Sequence, residues 1–348
     1  MKKKIMGLLL IMMILLTSGC GANDYIKDKD KKIVQYTETG QNLPNNILCK
    51  PEVDSELYKV YAEYDKELKI PLKKLPTCSE FKLNSNKSSG IWELIFVKPL
   101  AYLILKLGKI VGNMGISLII IGLLIRLVLL PFSYKTHKQS KNMQKVQQDM
   151  QKLELKYRGR DDRDSMMMKS QEMMGIYKKY DVKPMSGCLV AFLQLPIFFA
   201  FLQAINRVPA IFEDKLLGFN LGMTPYVGLS NGNYLYILLI VLIAVSTYFS
   251  FKYSMKSTAA MNQTEEMQSQ MTMMTNIMVV LIVVTSFSLS TALSFYWIVT
   301  YAFIAIQTFI FRRLSGEANN KKDKKNNNRK KIKDKLEVKR GLKYGNNN

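Results

Sequence analysis

The most restrictive feature of the sequence is an apolar stretch, Gly115 to Pro131, that is about long enough to span a bilayer and carries one charged residue, Arg126. On insertion scales, an arginine at the centre of a membrane costs roughly 2.5–3.5 kcal/mol. Chains keep such a residue where it faces water, a partner or a substrate. We therefore expect the fold to hold Arg126 in a hydrated pocket. The simpler alternative is that its side chain extends to the cytoplasmic headgroups.

The composition favours a membrane protein over a nucleic-acid-binding or metal-dependent one. The chain has 348 residues, of which 48% are hydrophobic, and a formal net charge of +23. In a soluble protein this charge would indicate nucleic acid, but here long apolar stretches alternate with charged ones. The single histidine, His137, argues against histidine-based metal sites and serine–histidine dyads, and the four cysteines have no CxxC spacing. Since a glycine-rich phosphate loop is also missing, we expect no cofactor, no metal and no enzymatic activity.

Residues 1–19 have the form of a lipoprotein signal peptide. Three lysines precede a short apolar run, which ends in Leu16-Thr17-Ser18-Gly19-Cys20. This ending resembles a bacterial lipobox, so we expect cleavage before Cys20 and acylation of its thiol. Thr17 stands where lipoboxes usually carry leucine. An uncleaved signal anchor, or cleavage at another point, is the alternative.

Residues 20–90 form a polar segment that we expect on the extracytoplasmic side, anchored through Cys20. Its middle, Ser55 to Leu68, has apolar residues at helical spacing and predicts a helix. Cys49 and Cys78 flank this helix on the oxidising side of the membrane. A disulfide between them and two free thiols are both open.

Residues 91–113 have the pattern of an amphipathic helix that lies in the membrane interface. Their polar side chains step by three or four residues and so share one narrow face, while apolar side chains fill the other faces. The alternative is a true transmembrane helix. The polar face consists of Lys98, Tyr102, Lys106, Lys109 and Asn113.

For residues 114–313 we predict an all-α membrane core with five transmembrane helices and a cytoplasmic helical hairpin. The hairpin, residues 133–183, turns over Tyr157 to Asp162, where glycine and aspartate favour a turn and a helix N-cap. Residues 314–348 form a basic, asparagine-rich tail whose composition predicts disorder. The spans cover about 115–132, 185–205, 234–251, 271–289 and 291–311.

The distribution of lysine and arginine predicts the orientation of these spans. The basic hairpin and tail are expected in the cytoplasm, and the weakly charged loop 206–233 outside. Five spans then begin outside and end inside, which agrees with a lipid-anchored Cys20 on the outer leaflet. We predict a multi-pass protein of the bacterial plasma membrane with a cytoplasmic C-terminus. The hairpin and tail could contact ribosomal RNA or anionic lipid through phosphates, or could serve only to set the topology.

Arg126 has no acidic residue within the predicted spans to pair with. It must therefore meet water, neutral acceptors, lipid phosphate or an incoming acidic group. The amides of Gln194 and Gln307 are the most costly neutral groups in lipid, so we regard them as the best candidates to line a groove with Arg126. Other polar groups suit ordinary contacts between helices: Ser246, Thr247, Thr285, Ser288, Ser294, Tyr296 and Thr300.

Methionines cluster in the second half of the hairpin, at Met166 to Met168, and at the start of the fourth span. Adaptable thioethers suit a surface that accepts many apolar sequences. Filling gaps in a core is the alternative.

Several of these stretches also match family motifs: Gly115-Ile116-Ser117, Ile125-Arg126-Leu127, Leu130-Pro131-Phe132, Pro184-Met185-Ser186-Gly187-Cys188-Leu189, Leu193-Gln194-Leu195-Pro196-Ile197 and Leu293-Ser294-Phe295-Tyr296-Trp297-Ile298-Val299. With these motifs the chain resembles the YidC/Oxa/Alb membrane protein insertases, in their Gram-positive lipoprotein form. The resemblance covers roughly Trp92 to Arg313 and includes the order of the parts. There are two departures: the polar segment 21–90 is longer than expected, and Ser290 lies near the place of an expected proline.

The resemblance implies a function, partners and site residues. Family members insert membrane proteins alone or beside the Sec translocon, and hold an arginine in a hydrophilic groove that is open to cytoplasm and lipid. Arg126 matches that arginine, and Gln194 and Trp297 match motif positions assigned to the groove. The implied partners are nascent membrane proteins, the ribosome, the Sec translocon, the signal recognition machinery and anionic lipids. An assembly scaffold and a small-anion transporter are the alternatives, although a transporter predicts inverted repeats that the sequence does not show.

Overall fold

The computed structural model describes residues 25–86, 90–160, 162–181, 186–258 and 265–314. The predicted signal peptide, the lipidation site Cys20 and the tail beyond Leu314 lie outside the described residues.

Residues 25–86, which we call the N-terminal domain, fold around a small core of their own. A two-stranded hairpin (β1, Gln35–Tyr36; β2, Gln41–Asn42) precedes one helix, α1, Glu56–Glu63. The hydroxyl of Ser55 caps α1 by accepting a hydrogen bond from the backbone N–H of Tyr58. The core consists of Ile26, Tyr36, Leu43, Ile47, Leu57, Tyr61, Leu68, Leu72 and Leu75.

The helix predicted over Ser55 to Leu68 is shorter in the structure. The α-helix ends at Glu63, and a single 3-10 turn, Asp65–Glu67, follows. The carboxylate of Asp65 accepts a hydrogen bond of 2.7 Å from the backbone N–H of Leu72. Aspartate side chains compete with helical hydrogen bonding in this way, and the chain turns back onto α1.

Cys49 and Cys78 form a disulfide, which settles the alternative that the sequence left open. The two residues are 29 positions apart, and closing a loop of that size removes about 3–4 kcal/mol of unfolded-state entropy in the chain-entropy model. The bond ties the segment after α1 to the segment before it.

The predicted interfacial helix begins as a π-helical turn, Glu93–Val97, and continues as α2, Lys98–Val111. It ends at Gly112, whose φ of +74° is the left-handed conformation that favours glycine at a helix end. The polar face is not uniformly exposed, because the side chain of Lys98 is only 1% exposed. Its ammonium donates to the carbonyl oxygens of Ser85 (2.9 Å) and Asn86 (2.7 Å). The periodicity identified the face correctly, but it could not show that the N-terminal domain covers one end of it.

The remaining helices follow α2 in a mostly helical fold. Two further β-strands, Lys215–Leu216 (β3) and Phe219–Asn220 (β4), pair through a two-residue turn, so the fold is mostly helical, with short strands that the all-α prediction did not include. In both hairpins the two strands pair their backbone hydrogen-bonding groups. Gly40 in the β1–β2 turn and Gly218 in the β3–β4 turn adopt the positive φ that tight turns need. The helices are α3 (Met114–Val128), α4 (Leu130–Lys156), α5 (Arg163–Lys179), α6 (Ser186–Asn206), α7 (Pro209–Phe212), α8 (Pro225–Ser230), α9 (Leu235–Thr258), α10 (Glu265–Ser286) and α11 (Thr291–Leu314).

Two helical stretches, Leu235–Tyr253 and Thr291–Leu314, are long and apolar enough to cross a membrane. Within the described residues, three shorter apolar stretches accompany them: Met114–Val128, Gln194–Asn206 and Thr275–Ser286. Each of the five coincides largely with one predicted span, while the count of five membrane crossings stays a prediction.

The first predicted span ends earlier than expected. The helix breaks at Leu129, and α4 starts at Leu130 with Pro131 in its first turn. Proline suits that position because the first turn needs no backbone donor.

Helices α4 and α5 pack side by side around a turn at Gly159. The carboxylate of Asp162 caps α5 by accepting the backbone N–H of Ser165 at 2.9 Å. The methionines of these two helices fall into two groups. Met150 and Met173 pack between the helices. The side chains of Met166 to Met168 are exposed on α5.

The main core lies where α2, α3, α6 and α11 meet, and it extends into the N-terminal domain through Leu48, Cys49 and Phe81. Helix α2 lies across the ends of two helices. Trp92 Nε1 donates to Gln203 Oε1 near the end of α6 (3.0 Å), and Ser117 Oγ near the start of α3 donates to the carbonyl of Ile104 (2.6 Å).

Backbone hydrogen bonds join the N-terminal domain directly to the helical core. Leu48 N–H donates to the carbonyl of Arg207 (2.8 Å), and Thr224 N–H donates to the carbonyl of Thr39 (2.8 Å). A side chain at Gly40 would collide with Val227 on α8, so the hairpin turn approaches that helix closely. The domain therefore covers the ends of α6 and α8 rather than extending away from them.

Candidate functional site: a buried arginine between apolar helices

Arg126 lies in the last turn of α3 and is half-buried. Its Nη2 atom is buried and has no hydrogen-bond partner in the part of the chain that the structure describes. Nor does any described aspartate or glutamate form an ion pair with it. A buried donor without a partner is costly, and native proteins usually satisfy it with water or a ligand.

Tyr296 on α11 is the centre of the polar groups near Arg126. Its side chain is 2% exposed and stacks on Phe201 of α6, with ring centroids 4.1 Å apart. It also packs over Gly122, one turn before Arg126, where an added Cβ would lie 3.4 Å from the ring. The phenol lies within interaction range of Arg126, Gln194 and Thr300. The sequence analysis named Tyr296 among the neutral polar groups and within a family motif, but it assigned Tyr296 no role in the groove. The glycine one turn before Arg126 was the signal for a large neighbour.

Gln194 lies on α6, two residues before a proline. It is half-buried, and Pro196 within the helix removes the N–H that would otherwise bond to the carbonyl of Phe192. The structure therefore brings Arg126 and Gln194 together around Tyr296. The other amide, Gln307, is about three turns further along α11.

Trp297, in contrast to Gln194, packs against an aromatic side chain. It is 6% exposed and stacks on Phe198 of α6, with centroids 5.9 Å apart and the rings 18° from parallel. Adjacent residues of a helix point about 100° apart, so Trp297 packs between α6 and α11 while Tyr296 faces Arg126. A role for Trp297 in the groove stays a prediction.

Unsatisfied polar atoms recur on the apolar helices. Thr247 on α9, Thr300 on α11 and Ser290 just before α11 are buried, and their hydroxyl oxygens have no hydrogen-bond partner among the described residues. With Arg126, they give the described part of this bundle several polar atoms that water or a guest molecule could satisfy.

Another arginine, Arg207, directly follows the last residue of α6 and is paired through two of its nitrogen atoms. It is 4% exposed, and its Nη2 donates to the Glu93 carboxylate at 2.9 Å while Nε donates to the carbonyl of Asn46 at 2.6 Å. Lys98 lies 3.8 Å from the same carboxylate. Burial lowers the pKa of Lys98, and Glu93 opposes that shift.

Comparison with known proteins identifies the family. Residues 106–319 match the family model of the 60Kd inner membrane protein. The membrane protein insertase YidC of Oceanobacillus iheyensis is 33% identical over 227 residues, which cover 65% of this chain and 85% of that protein. The chain belongs to the YidC family of membrane protein insertases.

Other YidC-family relatives agree. YidC 2 of Bacillus anthracis is 37% identical over 228 residues, covering 65% of this chain and 83% of its own length. The insertase MisCA of Bacillus subtilis is 37% identical over 227 residues, covering 65% and 80%. The resemblance to the YidC family found in the sequence is thereby confirmed, while the lipoprotein form stays a prediction. The family match starts at Lys106, so the N-terminal domain and Glu93 lie before it.

Proposed function

We propose that this protein inserts hydrophobic segments of nascent membrane proteins from the cytoplasm into the bilayer, through a groove that contains Arg126. The observation that carries this proposal is the half-buried guanidinium, whose Nη2 is unsatisfied among the described residues and whose neighbours are neutral polar side chains. A cation without a carboxylate partner is available to a polar or acidic guest. Because Arg126 interacts with Tyr296 of another helix, its placement supports the groove over simple extension to the headgroups.

The proposed mechanism is transfer between environments, without covalent chemistry, nucleotide or cofactor. The polar or acidic flank of a client occupies the groove beside Arg126, which shortens the hydrocarbon path that the flank must cross. The apolar segment then partitions into lipid, which is favourable by roughly 0.8 kcal/mol per buried CH₂. Gln194 and Tyr296 would supply neutral hydrogen-bonding groups, and Trp297 would support the wall through its stack on Phe198.

We infer the predicted topology from the positions of the two ends of α3. Its first residue follows α2, which contacts the disulfide-bonded N-terminal domain through Lys98, and this suits the oxidising side of the membrane. Its last turn, with Arg126, leads directly into the basic hairpin α4–α5, which suits the cytoplasm. Five spans, a Cys20 lipid anchor outside and a cytoplasmic C-terminus complete this arrangement.

The partners follow from the same arrangement. Nascent membrane proteins are the clients, and the basic hairpin and tail would contact the ribosome or anionic lipid through phosphates. The exposed side chains of Met166 to Met168 offer an adaptable apolar surface on the hairpin. The Sec translocon and the signal recognition machinery remain proposed partners from the family resemblance.

Crosslinking to ribosome-bound nascent chains tests the proposal. A photoreactive residue at Leu123 lies one turn before Arg126 on the same face of α3. We expect crosslinks to the client during synthesis. Arg126→Ala should lower insertion of a client with an acidic translocated tail at least about fivefold, which corresponds to about 1 kcal/mol. A client with a neutral tail should be much less affected.

Two variants complete the design. Arg126→Lys keeps the charge and should restore most insertion, while Arg312→Ala, at the far end of α11, should have little effect. Equal insertion of both clients by Arg126→Ala would show that the groove-charge mechanism is wrong. Absence of client crosslinks would instead favour an assembly scaffold or a small-anion transporter.

A further inference from the structure

A pocket that is separate from the Arg126 site lies where the N-terminal domain meets α2. It has a volume of about 260 Å³ and is partly open to the surroundings. It lies near the start of α3, about 18 Å along that helix from Arg126. One wall is Cys78, Ser79, Glu80, Phe81 and Lys82, and the other is Tyr102, Leu105, Lys106 and Lys109.

The charge of this pocket is positive. Lys82, Lys106 and Lys109 line it, and the one acidic residue, Glu80, accepts a hydrogen bond of 2.8 Å from the Thr77 hydroxyl. Across residues 25–86 and 90–160, none of the three lysines forms an ion pair. Lys106 and Lys109 are three residues apart on one helix face, where like charges repel. An anion between the two walls would relieve this repulsion.

The walls of the pocket are held in place from behind. Cys78 is joined to Cys49, which is fully buried in the main core, and Phe81 belongs to the same core. On the other wall, Leu105 is buried in that core. The lysines are therefore carried by two rigid supports rather than by a free loop.

Apolar side chains border the basic pocket on the surface of the protein. On α2, Leu103 and Ile110 are 48% and 73% exposed, and Leu83 beside Lys82 is 46% exposed. Lysines next to exposed apolar residues are typical of side chains at the headgroup level of a membrane, where the ammonium lies at the surface and the stem in the apolar layer. The pocket is too small for a whole lipid but suits a headgroup, while the bordering residues suit the acyl chains.

We propose that this pocket binds the phosphate-bearing headgroup of an anionic phospholipid of the outer leaflet. The proposal rests on the inferred topology, which places α2 at the outer surface, but it uses none of the residues around Arg126. Lys82, Lys106 and Lys109 bind the phosphate from both walls, and the lipid joins the N-terminal domain to the interfacial helix.

Native mass spectrometry of the full-length protein tests this site, with phosphatidylglycerol, phosphatidylcholine and inorganic phosphate as separate probes. The variant Lys82→Gln/Lys106→Gln/Lys109→Gln removes the three pocket charges. Its matched control, Lys66→Gln/Lys73→Gln/Lys74→Gln, removes three exposed lysines of the N-terminal domain that do not line the pocket. We expect phosphatidylglycerol affinity to fall about fivefold for each pocket lysine and to change little in the control.

Three results would overturn the proposal. The first is unchanged phosphatidylglycerol affinity in the pocket variant, and the second is an equal loss in the control, which would show general charge attraction. The third is displacement of the lipid by an equal concentration of inorganic phosphate, which would assign the site to a soluble anion. Client crosslinking from Leu123 is measured on the same variants. Loss of the lipid-binding proposal can therefore be distinguished from loss of the proposed insertase function.

Discussion

Two arginines of this protein, the half-buried Arg126 and the buried Arg207, differ in how their charge is paired. Arg207 donates to a carboxylate and a backbone carbonyl, and the acid that it meets is shared with Lys98. Arg126 lies in a comparable apolar setting, yet its Nη2 has no partner among the described residues. The first guanidinium is part of a charged network within the protein, whereas we propose that the second meets a group from outside the fold.

The positions of the two arginines agree with this difference. Arg207, Glu93 and Lys98 join the N-terminal domain, the start of α2 and the end of α6, three segments far apart in the chain. Taking these charges out of water is expensive, and only good geometry and full pairing offset that cost. The network therefore joins these three segments, while Arg126, in the last turn of α3, is where we propose that the bundle accepts a guest.

The largest expected effect is loss of the Glu93 carboxylate. Glu93→Gln leaves Arg207 and Lys98 buried without a counter-charge, and breaking a buried pair in this way costs about 3–5 kcal/mol. Thermal unfolding of the detergent-solubilised protein, followed by tryptophan fluorescence, should show a clearly lower midpoint. Glu63→Gln, an exposed glutamate on α1, is the control. Equal midpoints for the two variants would mean that the network is not structural.

Arg126 should behave in the opposite way. Arg126→Met removes a charge that no described carboxylate compensates, so stability should change by no more than about 1 kcal/mol or should increase. Insertion of acidic-tailed clients should nevertheless fall. The same unfolding assay and the crosslinking assay, run on one preparation, measure both effects. A loss of stability as large as that of Glu93→Gln would contradict the distinction between the two arginines.

The sequence predicted those features that depend on one segment at a time. The apolar helices, the turn before Asp162 and the unusual status of Arg126 follow from runs of residue type and from local turn chemistry. Whether Cys49 and Cys78 form a disulfide or stay free thiols could be decided only from the three-dimensional structure, because their spacing in the sequence does not show how close the two thiols lie.

Features that join distant segments could not be predicted from the sequence. Glu93 and Arg207 are 114 positions apart, and no local pattern pairs them. Lys98 has the spacing of an exposed residue, and its burial depends on what covers that face. Tyr296 and Trp297 are adjacent and both aromatic, so only the packing of α11 against α6 shows which one faces Arg126.

Glu213 provides the smallest test, because among the described residues it forms no ion pair, in contrast to Glu93. It is half-buried and accepts the backbone N–H of Glu52 at 3.2 Å. Burial raises the pKa of its carboxyl above the usual value, and the hydrogen bonds from Ser55 and Glu52 only partly oppose this.

A raised pKa in the folded state contributes stability that is complete below the unfolded pKa, about 4.3, and is lost as pH rises through the folded value. At neutral pH, Glu213→Gln should therefore raise the free energy of unfolding by less than about 1 kcal/mol. The variant should unfold at a slightly higher temperature than the unaltered protein. The advantage should disappear as the pH is lowered below the unfolded pKa. An advantage of the same size at every pH would assign the effect to packing and not to the charge of Glu213.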